Sequence, residues 1–204
     1  MIASVPHSAV PRATPPSVHS VWLLLALAGC STVPTPPGRD SQGVDGLACK
    51  GDLAPVVPGL AESRSAVLLE RAQMPSGKGG LCAAKVFAVT APVTLYRVFD
   101  SARPHTKFGA WWSLKPPGGS REDYRVANAI CPEWSPLDRV VSCELRPGTQ
   151  LVLGTTQSAE CRGGLAYAPS PELQVYVPND VRVGVIHVGN CSAETPWPVA
   201  VNPP

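Results

Sequence analysis

Seven cysteines, at positions 30, 49, 82, 131, 143, 161 and 191, constrain this chain more than any other feature. Cross-links decide which stretches lie together, and they persist only in an oxidising compartment. The first of the seven directly follows an apolar run, VWLLLALAGC at 21–30, that is too short to span a bilayer comfortably. Setting Cys30 aside leaves six, an even number suited to three disulfides with fifteen possible connectivities. Short loops favour Cys49–Cys82, Cys131–Cys143 and Cys161–Cys191, each bridge adding about 2–4 kcal/mol mainly by restricting the unfolded chain. Zinc is a poor alternative, because no CxxC pair or His-x-x-x-His spacing is present.

Leu27, Ala28 and Gly29 before Cys30 resemble the lipobox of bacterial lipoproteins. The resemblance implies cleavage before Cys30 and lipid on its thiol and new amino group. An ordinary secretory signal cut nearby would change the anchor and not the compartment. The expected location is the bacterial cell envelope, lipid-anchored on the periplasmic or outer-membrane side, or secreted. One feature disagrees: twenty proline-rich residues precede the apolar run, with Arg12 as their only firm positive charge. Signal n-regions are shorter and more basic, and a start placed further along would account for the difference.

Removing residues 1–29 leaves 175, enough for one domain with a proper core. All fifteen acids and sixteen of the seventeen basic residues remain, for a formal charge of +1. No basic run stands out, which argues against nucleic acid as a partner. Residues 30–60 read as the lipidated cysteine and a Pro/Gly-rich tether, with Cys49 near its attachment to the domain. Residues 61–204 read as a single domain. AESRSAVLLERAQ (61–73) and SREDYRVANAI (120–130) predict helices, the second capped by Ser120 with Glu122 and Asp123 at its positive end. AKVFAV, VTLYRVF and runs at 139–145, 150–154, 172–177 and 181–188 predict strands. Together they predict an α+β fold: split antiparallel sheets, a few short helices, and disulfides.

One strand carries a charge in an apolar line. In LYRVFDS (95–101), Arg97 shares a face with Val93, Leu95 and Phe99. A guanidinium buried there needs a partner. Asp100, Glu133 and Asp138 are the protein carboxylates at hand; an anion from outside is the other option.

Four stretches in order, LYRV, GAWWSLKPPG, DYR and ELQVYV, resemble the ADP-ribosyltransferase-like toxin superfamily, especially NAD glycohydrolases of the tuberculosis-necrotizing-toxin type. The resemblance spans roughly residues 93–178. It implies an ADP-ribosyltransferase-like fold and cleavage of the nicotinamide–ribose bond of NAD, by hydrolysis or by ADP-ribosyl transfer. NAD is then the substrate, and no metal is needed. Implied NAD-binding residues are Arg97 on phosphate or ribose, Trp111 or Trp112 as a stacking wall, Ser113 to orient the site, and Tyr96. Gln174 and Glu172 are the implied catalytic pair, holding ribose hydroxyls or facing the cation. Arginine-modifying members carry Glu-x-Glu where this chain has Glu172-Leu173-Gln174, so hydrolysis is favoured over transfer. Partners would be NAD, the membrane through the anchor, and a protein acceptor or target cell.

Other readings compete. Exposed tryptophans also suit a carbohydrate or protein interface. His187, in VGVIHVG, reads as a satisfied core histidine and His105 as a loop residue. No GxSxG elbow supports a serine hydrolase. The alternative of a different class is a non-enzymatic, disulfide-bonded lipoprotein that binds a partner or serves the envelope structurally.

Overall fold

The computed structural model describes residues 41–53 and 57–198. In chain order its elements are β1 (Leu60–Glu62), α1 (Ala66–Gln73), β2 (Leu81–Val89), β3 (Val93–Phe99), β4 (Trp111–Trp112), α2 (Arg121–Asn128) and β5 (Arg139–Leu145). There follow β6 (Gln150–Thr156), β7 (Ala159–Glu160), β8 (Ala166–Tyr167), β9 (Ser170–Tyr176), β10 (Val188–Gly189) and β11 (Thr195–Pro196). The expected α+β class is therefore corrected: the described domain is mostly antiparallel sheet, and the ADP-ribosyltransferase-like layout implied by resemblance is not supported. The physical reason lies in the two helices, which stop after eight residues each. Met74 ends α1 with φ 55° and Ala129 ends α2 in the left-handed region, so neither can propagate. Both start on serine caps, and α2 has a full capping box between Ser120 and Asp123. Neither helix is long and apolar enough to cross a membrane.

A five-stranded sheet runs in the order β1-β2-β6-β9-β4, all antiparallel. A second sheet centres on β5, which pairs along its whole length with β3, from Val93↔Leu145 to Phe99↔Arg139. Its other edge holds β10 and β11. Val-, Leu- and Phe-rich alternation drives this pairing, because one face of each strand must leave water. Leu95, Phe99, Val141, Leu145, Leu151, Leu153 and Val175 form the shared core between the sheets. On the far face of the larger sheet, Leu68 and Ala72 of α1 cover Leu81, Val86 and Val152. The stretch at 181–188, expected as a strand, is a 3₁₀ turn over Val181–Val183 followed by the short β10. Asp180 accepts the Arg182 N–H and Gly184 turns left-handed (φ 72°), which closes a loop instead of extending it.

Three disulfides tie loops to buried core positions among the described residues, in keeping with an oxidising environment. They join Cys49 to Cys82, Cys131 to Cys161, and Cys143 to Cys191. The expected pairs Cys131–Cys143 and Cys161–Cys191 are corrected. Short loops favour neighbours in sequence, whereas β5 carries Cys143 into the core beside the chain end, and Cys131 leaves α2 next to β7. Residues 41–53, assigned to the tether by composition, are held to the domain: Gln42 bridges Ala48, Gln157 accepts from the Val44 N–H (3.3 Å), and Ser158 donates to Asp45.

Non-reducing peptide mapping is expected to recover the 131–161 and 143–191 linkages; a 131–143 peptide would refute this topology. Replacing Cys131 and Cys161 together with alanine should lower the unfolding free energy by about 2–4 kcal/mol in a denaturant titration.

Candidate functional site

Two hydrogen bonds between Tyr96 and Ser113, each 2.8 Å, stitch β3 to the end of β4 and so join the two sheets. Beside that stitch the sheets diverge around a pocket of about 450 Å³. Arg97, the next residue along β3, puts its guanidinium there. Its Nε donates to Thr106 O (2.6 Å), Nη1 donates to Trp111 O, and its Cζ stands 5.9 Å from the centre of the Trp112 ring. Nη2 bonds no described residue, and it is not sealed from solvent. No carboxylate among the described residues pairs with Arg97. Asp100 is taken by Arg103 (2.5 Å), Asp138 by Ser101, and Glu133 by the Arg162 N–H (2.8 Å). Burial pushes the Arg97 pKa down to about 10, with Tyr124 opposing the shift, so the group stays charged at neutral pH.

The loop after β3 is shaped around this side chain. A 3₁₀ turn over Pro104–Phe108 brings the Thr106 carbonyl to Arg97, and Gly109 then passes directly beneath the guanidinium. A Cβ on Gly109 would lie 2.3 Å from Arg97 Nη2 and 2.7 Å from Cζ. The Gly109 backbone itself (φ −66°) suits any residue, so the demand for glycine is purely one of space. Trp112 anchors the same loop by donating its indole N–H to Gly109 O (2.7 Å).

Of the sequence-predicted site residues, Arg97, Trp111, Trp112 and Gln174 meet at this pocket. Trp112 is fully in the core, while Trp111 packs edge-on to Tyr176 at 5.1 Å. Gln174 is buried and gives both amide hydrogens to the protein, to Asn128 O (3.1 Å) and Thr156 Oγ1 (2.7 Å). Its carbonyl oxygen is left for the pocket. Tyr96, Ser113 and Glu172 do not line it. Tyr96 and Ser113 serve as the stitch between sheets, and the Ser113 hydroxyl accepts the Lys115 N–H (3.1 Å) instead of orienting a ligand. Glu172 lies two residues before Gln174 but outside the cavity.

Several lining residues were given no role from sequence, Tyr124 of the DYR stretch among them. Tyr124 of α2 presents a half-buried phenol whose pKa is pushed up to about 12, chiefly by desolvation, with Arg97 opposing. Its ring packs edge-on against Trp197 at 5.0 Å. The neighbouring Arg125 is structural, donating to the carbonyls of Ile130, Cys131 and Ser135. Lys78 and Arg103 add positive charge, and among the lining residues Asp100 is the sole carboxylate. The pocket thus joins apolar aromatic walls with an excess of cationic donors, a combination suited to an anion bearing a flat ring.

Replacing Gly109 with alanine should destabilise the fold by about 1–3 kcal/mol, the range for overpacking a filled site. In an Arg97→Ala background most of that cost should vanish, because the clashing atoms are gone. A double-mutant cycle on thermal or denaturant unfolding checks this; additive costs would show that Gly109 answers to something else.

No protein-family model matches the chain, and no curated protein matches it. Among solved structures there is a match to one described as Tne2 in complex with Tni2. It is 15% identical, covers 57% of this chain and 94% of that one, and has a TM-score of 0.43. A likeness at that level carries no argument about the site.

Proposed function

We propose that this pocket takes the nicotinamide–ribose end of NAD, with the pyrophosphate toward its cations, and that the protein cleaves the nicotinamide–ribose bond by hydrolysis. The observation that carries the reading is Arg97: a desolvated guanidinium with no carboxylate partner among the described residues, open to a pocket walled by tryptophan. Three cations against one carboxylate leave the pocket short of negative charge, which a dinucleotide's two phosphates would supply. Cleavage of such a bond passes through an oxocarbenium-like state. The C–N bonding pair leaves with neutral nicotinamide, water adds to the ribose carbon, and a proton is released. Arg97 would hold phosphate or ribose oxygen through Nη2. The Gln174 carbonyl oxygen would accept from a ribose hydroxyl or face the developing cation. With Asp100 tied to Arg103, no free carboxylate among the described residues lines the site to activate a protein acceptor, which favours water.

One observation supports a second reading, that of a binding module without chemistry. Both Gln174 amide hydrogens are committed to the fold, and a neutral carbonyl oxygen is a weak stabiliser of positive charge. Lipid attachment at Cys30 falls outside the described residues and is part of the same proposal.

The full chain, recovered from an oxidising compartment, should release nicotinamide and ADP-ribose from NAD in a chromatographic assay. Arg97→Ala and Gln174→Ala should each cut the rate by about 100-fold or more. Absence of release from folded, oxidised protein would overturn the cleavage reading, and an NAD-dependent rise in melting temperature would then identify a binder. Metabolic labelling with a radioactive fatty acid should mark the wild-type chain and fail to mark Cys30→Ser.

A further inference from the structure

A second depression, of about 610 Å³, lies where the start of α1 meets the turn between β5 and β6. It shares no lining residue with the first pocket. Its walls bring together Arg71 of α1, Arg146 of the turn, and His187 just before β10, and no Asp or Glu lines it. His187 is not the satisfied core residue that its sequence setting suggests. It is half-buried, its backbone N–H donates to Asn179 Oδ1 (2.7 Å), and its ring bonds no described residue. Arg146 donates Nη1 to Ile186 O (3.1 Å), which steadies the guanidinium while leaving Nε and Nη2 without described partners. Arg71 forms no ion pair with any described residue.

Two further features face the same way. Thr149 lines the groove with only 6% of its surface exposed, and its hydroxyl, which bonds no described residue, is open to the groove and not sealed from solvent. The N-terminus of α1 opens on the groove through Ser65, Val67 and Leu68, and its first turn holds no acidic residue. Asp or Glu ordinarily collects at that positive end, as Glu122 and Asp123 do on α2. The Ser65 hydroxyl satisfies Leu68, which leaves the Ala66 and Val67 N–H groups without described partners. Two guanidinium groups, an imidazole, a hydroxyl open to the groove and an uncompensated helix start make a donor set with no acceptor charge among the described lining residues. That is the chemistry of an oxyanion site.

We infer that this groove binds a phosphate group, carried by a lipid headgroup or free in solution. The inference does not depend on the NAD reading, since the two sites have no residue in common. The full chain, purified after export and processing, would be titrated by calorimetry with inorganic phosphate and with dihexanoyl phosphatidylglycerol below its micellar concentration. Saturable binding of at least one is expected. Arg71→Gln combined with Arg146→Gln should weaken it about tenfold or more, and Thr149→Val about threefold. The binding that depends on Arg71 and Arg146 should persist in Arg97→Ala. Tight binding of the lipid, displaced by phosphate, assigns the headgroup; binding of inorganic phosphate alone assigns the free anion. No saturable binding of either, binding indifferent to the arginine pair, or loss in Arg97→Ala overturns the inference. Should the double variant fail to fold by circular dichroism, Arg71→Gln alone and the nearly isosteric Thr149→Val decide it.

Discussion

The domain turns on the pair of backbone hydrogen bonds between Tyr96 and Ser113. They are where the two sheets still touch edge to edge; beyond them the strands separate, and a cavity must either fill or stay open. Arg97 follows Tyr96 directly, so its side chain enters the wedge whatever its chemistry. A charge so placed does not stabilise the fold by itself, because desolvation costs more than two carbonyl bonds return. The stability comes from the apolar layer that Leu95 and Phe99 build on the same face with Val141, Leu153 and Val175. The loop around Arg97, with Gly109 lacking a side chain, is fitted to its presence.

Much of this was legible in the strand pattern. Alternation along VTLYRVF places Arg97 on the core face, and the capping signal at Ser120 marks where α2 begins, whereas the Ser65 cap of α1 was not read from sequence. Helix ends were harder to read, since Met74 and Ala129 stop their helices through backbone conformations that neither residue type announces. Disulfide connectivity was misread because loop length reports only the entropy of closure, whereas β5 and α2 decide which sulfurs are neighbours. Site residues divided along the same line. Arg97, Trp111, Trp112 and Gln174 converge because register carries them there, from Trp111↔Tyr176 across β4–β9 and Gly154↔Gln174 across β6–β9. Ser113 and Glu172 are equally polar and close in sequence, but their backbones and neighbours use them for turns and pairing. Tyr124, Lys78 and Arg103 reach the cavity from loops and a helix whose docking angle no local pattern specifies.

The two depressions differ in kind. The first is deep and aromatic, with its cations partly tied to carbonyls and to Asp100. The second is more open, and its cations line the same groove as a helix start left without its usual acid. Field focusing in such concave, one-signed surfaces raises the local concentration of anions even where each contact is weak.

The attachment of residues 42–49 to the domain sets a length scale for anything the chain does at a surface. Composition alone would give a leash of thirty residues; the Gln42–Ala48 bridge and the Cys49–Cys82 link fasten the middle of that stretch. From Cys30 to Ser41 only eleven residue steps remain. Fully extended, they reach about 40 Å. With a lipid on Cys30 the domain would therefore stay within roughly its own diameter of the bilayer, and would meet only those molecules that come to that membrane.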